Sequence, residues 1–312
     1  MALPDVHRSR PAVAIALRKV GIKGIRMPIS FTKLGSKRVL LVPSFDVFID
    51  LPPQRKGIDA SRSYEAVADV FSMFAKRTFK LEELCAHISA ELLKRHEYAT
   101  RAEVRARAEA VVERSTPVSS VTTFEPYKVY AKAVSKLGPS GVDTQRMVGV
   151  KVVGVTACPC VMEGIRELSK AELADMLSRH GLDPNILDAL PMATHMQRSQ
   201  GFLAMDSPEG HDVDVSKLIE IVEASMSAPT YELLKRGDEV SIVLKAVYSP
   251  RFVEDSIRLM AKRVVEAFKD LPDDVKVLLS QRSEESIHKH DMVAIRRATL
   301  GELRRELVSN EE

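Results

Sequence analysis

Two cysteines separated by one residue, in Thr156-Ala157-Cys158-Pro159-Cys160, end a valine-rich run. A thiolate is a nucleophile and a soft metal ligand, but a C-x-C pair is too short to close a zinc knuckle and needs donors from elsewhere. The plainer reading is a pair of small buried residues, because free cysteine is commonly buried. Pro159 fixes the backbone between the two, which a core position would not require. Further along stand His195 in Thr194-His195-Met196-Gln197-Arg198-Ser199 and Glu239 in Leu234-Lys235-Arg236-Gly237-Asp238-Glu239. Glu254 follows in Phe252-Val253-Glu254-Asp255, then His288 and His290 in Glu285-Ser286-Ile287-His288-Lys289-His290. Singly, each has a plain explanation. His195 suits a polar strand entry, Glu239 a solvated charge run, and Glu254 a first helical turn that complements the macrodipole. His288 and His290 suit an exposed loop.

Elements must hold these residues in place. Phe45, Val47, Ile49 and Leu51 alternate, as do Ile25, Met27, Ile29 and Phe31, and both runs read as half-buried strands. Ser63 is placed as a helix N-cap, ahead of Val67, Phe71 and Phe74 at helical spacing. Leu81, Leu84, Cys85, Ile88 and Leu92 make a second apolar stripe. Residues 102–114 have the Ala, Glu and Arg content of a helix but the alternation of a strand, and the strand is preferred. Tyr127, Val129, Ala131 and Ala133 alternate next. After the loop Leu137-Gly138-Pro139-Ser140-Gly141, strands are expected to Cys158 and over 197–204. Helices are expected over 215–226 and 251–268, and strands near 275–279 and 292–296. A short helix capped by Ser169 and closed by Gly181 interrupts this second half. The order strand, strand, helix, helix, strand, strand thus occurs twice. It predicts an α+β chain of two modules, 1–140 and 141–312, the second carrying most of the candidate residues.

The chain has 312 residues, with 46 basic and 43 acidic, so charge calls for neither a nucleic-acid nor a membrane partner. It has no Trp and only 5% aromatic residues, which disfavours a surface for stacking bases. No apolar run is long enough to span a bilayer, and residues 1–6 lack a signal h-region. Three cysteines make a poor disulfide framework, and the expected location is the cytoplasm.

Taken together and in order, these motifs resemble the type IB GTP cyclohydrolases, including the archaeal enzymes that begin methanopterin synthesis. Leu3-Pro4-Asp5-Val6 is similar to the family's opening motif, with His7 where a Gln is commoner. Cys-Pro-Cys, His-x-Gln-Arg-Ser, Leu-Lys-Arg-x-Asp-Glu, Phe-Val-Glu-Asp and Glu-Ser-Ile-His follow. The departure is the long insertion between Cys158 and His195, which bacterial members lack.

The resemblance implies the tunnelling fold, an antiparallel sheet with helices on one face, in a homo-oligomer (dimer or tetramer). It implies metal ligands at Cys158, His195 and Glu239 with one position open, the arrangement of a catalytic site. Fe(II) is preferred to Zn or Mn. Glu254 is implied as the anchor for guanine, and Cys160, His288 and His290 as proton carriers. Arg198, Lys235 and Arg236 are candidate phosphate contacts. The implied reaction hydrolyses GTP at C8, releases formate and gives 7,8-dihydroneopterin 2′,3′-cyclic phosphate, with the triphosphate as the alternative product. Competing readings are a nitrile reductase of the same fold with a cysteine nucleophile, and a non-catalytic, metal-stabilised binding protein.

Overall fold

Alternating apolar residues build most of the architecture. In a computed structural model, which describes residues 5–27, 29–34, 37–74 and 79–309, the first half of the chain opens with four strands. They are β1 (Leu17–Arg26), β2 (Ile29–Leu34), β3 (Lys37–Leu41) and β4 (Ser44–Leu51). Helices α1 (Ala60–Phe74) and α2 (Leu81–Arg95) follow, then β5 (Arg101–Ser115) and β6 (Thr122–Gly138). The second half gives β7 (Gly141–Ala157), α3 (Pro159–Arg179), β8 (Met196–Asp206), α4 (Val215–Ser225) and β9 (Ala228–Pro229). It ends with α5 (Arg236–Tyr248), α6 (Val253–Ala267), β10 (Lys276–Ser283), β11 (Met292–Thr299) and α7 (Leu300–Val308). Two compact units result, each drawn from three segments. The first takes Met1–Val111, Pro126–Val150 and Ala204–Ser216, and the second takes Val112–Glu125, Lys151–Leu203 and Lys217–Glu312.

In the first unit the strands lie in the order β1, β4, β5, β6, β7. On β4, Phe45 and Ile49 stand opposite Ala106 and Ala102 of β5, a large residue against a small one, with Val47 opposite Val104 between them. This explains why an Ala-, Glu- and Arg-rich segment is a strand. Ala102, Ala106 and Ala110 are buried while Arg105, Arg107 and Glu109 face out, and burial of one face overrides intrinsic helix propensity. The stripe on α2 is buried as the spacing requires, with Leu84, Cys85, Ile88 and Leu92 fully covered.

Two local expectations fail. The alternation from Ile25 to Phe31 does not make one strand: β1 ends at Arg26, and β2 pairs only with β3 in a separate ribbon. Ser63 is not an N-cap, because α1 starts at Ala60. Its hydroxyl is buried and lies 3.0 Å from His96 Nε2, while His96 Nδ1 lies 2.9 Å from the Tyr98 hydroxyl. A hydroxyl spent on a buried imidazole is not available to cap a helix.

His96 gives the first unit a pH dependence. Burial depresses its imidazole to about 4, with nearby Asp59 opposing that shift. The folded pKa lies below the unfolded value near 6.5, so the unfolded chain binds more protons between the two. The stabilisation is therefore complete above about pH 6.5 and is lost as pH falls towards 4, on the order of 2–3 kcal/mol. Urea midpoints should fall between pH 6.5 and 4.5 in the native chain. His96→Gln should flatten that stretch of the profile; an unchanged slope in the variant would assign the loss to other groups.

In the second unit the order is β7, β8, β10, β11, with β9 paired to β7 through Gly154↔Pro229. Helix α6 packs against β10 and β11 through a face that includes Val253, Ile257, Met260 and Val264. Gly201 on β8 lies beneath this layer. A Cβ there would collide with Val222 and press on the Gln281 amide and Met260, so only glycine lets the layers approach. Helix α5 was not anticipated. It buries only Asp238, Ala246 and Val247, while Val240, Val243 and Tyr248 stay exposed. Its first turn is held by Asp238, whose carboxylate accepts hydrogen bonds from the Val118, Ser119 and Lys235 amides and the Ser119 hydroxyl. These four bonds hold the carboxyl well below the usual range despite its burial.

The loop expected to separate two modules at 140 is a two-residue turn. Pro139 and Ser140 join β6 to β7, and Gly141 takes φ +119. Strands linked so tightly must pair antiparallel, so the segment is a hairpin tip rather than a hinge. Among the described residues, no helix is long and apolar enough to cross a membrane.

Candidate active site

The second unit contains a cavity of about 200 Å³ lined by Cys158, His195, Gln197, Glu254, Glu285, His288 and His290, with Thr156 and Ser283 also on its wall. Cys158 directly follows β7 and is the N-cap of α3, with Pro159 in the first helical turn. The expected cap at Ser169 is therefore displaced, because the helix begins at Pro159 and Ser169 lies in its interior. Its end is as anticipated: Gly181 has φ +69, and the Leu182 amide donates back to Leu177.

The insertion between Cys158 and His195 closes on itself. The Cys158 amide donates to the His195 carbonyl at 3.1 Å, and the Thr194 hydroxyl donates to the Cys158 carbonyl at 2.7 Å. Lys170 on α3 pairs at 2.7 Å with Asp188 in the returning 3-10 turn Pro184–Ala189. The two residues thus sit side by side despite their separation in sequence.

Helix α6 brings Glu254 to the same cavity. The Arg251 amide donates to the Ala157 carbonyl at 3.0 Å, and its guanidinium donates to the Ala224 and Met226 carbonyls. These bonds pin the start of α6 beside the end of β7. His288 and His290 stack with ring centroids 5.2 Å apart. Behind them, three buried hydroxyls from neighbouring strands form one cluster. Thr156 lies 2.9 Å from both Ser199 and Ser283, which also bond to each other.

Two residues in the quoted motifs had no assigned part. His195 Nδ1 lies 2.9 Å from Gln197 Oε1, and Gln197 Nε2 donates to Glu285 at 3.2 Å. A period of two running from His195 places Gln197 and Ser199 on its side of the strand, so this signal was in the sequence.

The remaining candidates stand apart. Cys160 is exposed in the first turn of α3 and does not line the cavity. Arg198 is exposed because alternation turns it away from Gln197 and Ser199. Lys235, Arg236 and Glu239 are exposed at the start of α5, also outside the cavity lining. Glu239 lies one turn before Ile242, which packs against the cluster containing Ala157 and Ala228, so it starts from the side of α5 nearest the end of β7.

A cysteine sulfur, an imidazole with one nitrogen already bonded to an amide, and carboxyl groups around one cavity are donor types that suit a borderline divalent metal. Among the described residues, the His/Cys/Asp/Glu group with donor atoms within 4.8 Å of one another is instead Asp5, His7 and Asp59. There Asp5 pairs with Arg8 at 2.9 Å and Asp59 with Arg55 at 2.7 Å, so arginines already neutralise those carboxylates.

The family described as Type I GTP cyclohydrolase folE2 matches residues 3–294. The chain is 43% identical over 310 residues to GTP cyclohydrolase MptA of Methanoregula boonei, covering 98% of this chain and 94% of that one. It is 39% identical over 309 residues to GTP cyclohydrolase MptA of Methanosarcina mazei, covering 98% and 97%. Among solved structures, a uricase from Arthrobacter globiformis aligns with a TM-score of 0.50 at 8% identity, covering 93% of this chain and 96% of that one. That likeness bears on the fold alone, which is the tunnelling fold.

Proposed function

The chain belongs to the type I GTP cyclohydrolase family, and from that premise we propose that it opens the imidazole ring of GTP at C8, releases C8 as formate and forms 7,8-dihydroneopterin 2′,3′-cyclic phosphate for methanopterin synthesis in the cytoplasm. The observation that carries this reading is the single cavity lined by Cys158, His195, Glu254, His288 and His290. At about 200 Å³ it is smaller than the roughly 300–1,000 Å³ of a pocket that encloses a whole drug-sized ligand. It suits the reacting base, with the triphosphate extending out of it. Of the basic residues expected to meet the phosphates, Lys235 and Arg236 at the start of α5 keep that role in this reading, whereas Arg198 faces away from the cavity side of its strand.

With Glu239 as the third ligand reaching in from the start of α5, outside the cavity lining, Cys158 and His195 would hold a divalent metal, Fe(II) ahead of Zn or Mn. When bound, it supplies Lewis acidity that lowers the pKa of water towards neutrality. The chain's own residues orient the substrate and move protons. The Glu254 carboxylate accepts parallel hydrogen bonds from guanine N1–H and the 2-amino group, a donor pair adenine lacks. His288 and His290, which line the cavity, would carry protons to the opening ring and the departing formate, with Cys160 as a third carrier by residue type. One water adds at C8 to open the ring and a second releases formate. The ribose carbons then close onto the freed amine. For the cyclic product, a ribose-derived hydroxyl attacks the α-phosphate and expels pyrophosphate. The exposed apolar residues of α5 support a homo-oligomer, a dimer or tetramer, in which that face is covered.

Anaerobic incubation of Fe(II)-loaded protein with GTP should yield formate and a pterin that fluoresces after oxidation. Phosphorus NMR of the finished reaction should show pyrophosphate and a cyclic phosphodiester. A triphosphate retained on the pterin would move the assignment to dihydroneopterin triphosphate. Absence of formate would leave the non-catalytic binding protein as the better reading.

A further inference from the structure

We propose that Gln197, itself oriented by Glu285, is a positioning residue that fixes His195 in the Nδ1–H tautomer and so presents Nε2 as the metal-binding nitrogen. The assignment rests on the metal reading above, and hydrogen-bond polarity carries it. An ionised carboxylate can only accept, so the group facing Glu285 must be the NH2 of the Gln197 amide. An amide has one oxygen and one nitrogen, and its oxygen is therefore turned to His195 Nδ1 at 2.9 Å. A carbonyl oxygen can only accept, so Nδ1 must carry the proton. In a neutral imidazole Nε2 is then the bare nitrogen, the form that can bind metal. The opposite amide orientation would set an oxygen against the Glu285 carboxylate and demand a lone pair at Nδ1. The contact to His195 would survive only in the Nε2–H tautomer, and the oxygen–carboxylate contact would be repulsive in either tautomer, so the Glu285 side decides the orientation.

The surroundings make this choice firm. The side chains of His195 and Glu285 are only 12% and 8% exposed, so bulk water is a poor substitute for a lost partner. The Ser286 hydroxyl lies 3.4 Å from the same nitrogen and a Glu285 oxygen 4.0 Å away, both farther than the Gln197 oxygen at 2.9 Å. Gln197 follows His195 at the two-residue period of β8, and Glu285 lies just past the end of β10. Both are therefore held by neighbouring strands rather than by a long free loop.

The test uses the full chain, metal-free and labelled with 15N-histidine, with Zn(II) as the metal probe. Long-range proton–nitrogen correlations, assigned by the signal missing in His195→Ala, should show His195 with a protonated Nδ1 and a bare Nε2. Gln197→Leu should lose that pattern, and its Zn(II) affinity should fall by roughly 10–100-fold, the usual effect of removing an outer-shell partner. Gln197→Glu alone sets two carboxylates face to face and should also weaken binding. The exchange Gln197→Glu with Glu285→Gln restores an acceptor towards His195 and a donor towards residue 197. It should return affinity to within a few-fold of the native chain, a rescue that a packing role would not give. A native Nε2–H tautomer, unchanged affinity in Gln197→Leu, or an exchange no better than its single variants would each overturn the proposal. Failure of the native chain to bind Zn(II) would sink the metal reading, while the tautomer spectrum would still decide the orientation of His195.

Discussion

Replacing Cys158 with alanine should abolish GTP turnover and release the metal while leaving the chain folded. Loss of a ligand removes more than loss of an outer-shell partner, so affinity should fall by more than roughly 10–100-fold. The fold should survive because Cys158 contributes to it through its backbone. Its amide bonds to His195 and its carbonyl accepts from Thr194, neither of which involves the thiol. As the N-cap of α3 its side chain makes no capping bond, so alanine forfeits little there. Metal analysis beside circular dichroism reads both halves of the expectation. Equal metal content in the two proteins would take Cys158 out of the ligand set, and an unfolded variant would favour a structural metal.

Glu254→Gln should cut GTP turnover with metal content unchanged. The substitution preserves shape but exchanges one acceptor oxygen for a donor, so one contact to the guanine edge turns repulsive. Loss of a charge-assisted hydrogen bond costs about 1.5–3 kcal/mol, equivalent to roughly 10- to 150-fold in kcat/KM. The geometry gives this experiment a second use. Glu254 shares the cavity with Cys158 and His195, whereas Glu239 lies outside its lining. If Glu254→Gln loses metal and Glu239→Gln keeps it, the two carboxylates exchange roles. If turnover with GTP is unaffected, Glu254 is not the anchor.

How far these positions were legible depends on the kind of signal each one left. Phe45 to Leu51 and the stripe on α2 were plain, because one buried face imposes a period. Residues 101–115 were legible only through alternation, which outweighed composition. Helix α5 was missed for a physical reason. Its apolar residues Val240, Val243 and Tyr248 are on the surface and a charged one, Asp238, is inside, so hydrophobic patterning pointed away from the fold. Ser63 and Ser169 are good caps by type, yet one is taken by His96 and the other lies inside a helix started by Pro159. The motifs brought Cys158 and His195 into view. Alternation put Gln197 on the side of His195, but the adjacency of Cys158 and His195 and the bond from Gln197 to Glu285 depend on contacts across the fold that no residue pattern records.

The interleaving of the two compact units also constrains how the chain can be made. The first unit includes Ala204–Ser216, so it cannot be complete until Ser216 of the 312 residues has left the ribosome. By then two of the three segments of the second unit, Val112–Glu125 and Lys151–Leu203, have already emerged without the third. Neither unit can close while its neighbour is still absent from the nascent chain, as consecutive domains ordinarily do. Long-range closure also makes folding slow. The two units are therefore completed in overlapping stages of synthesis rather than one after the other.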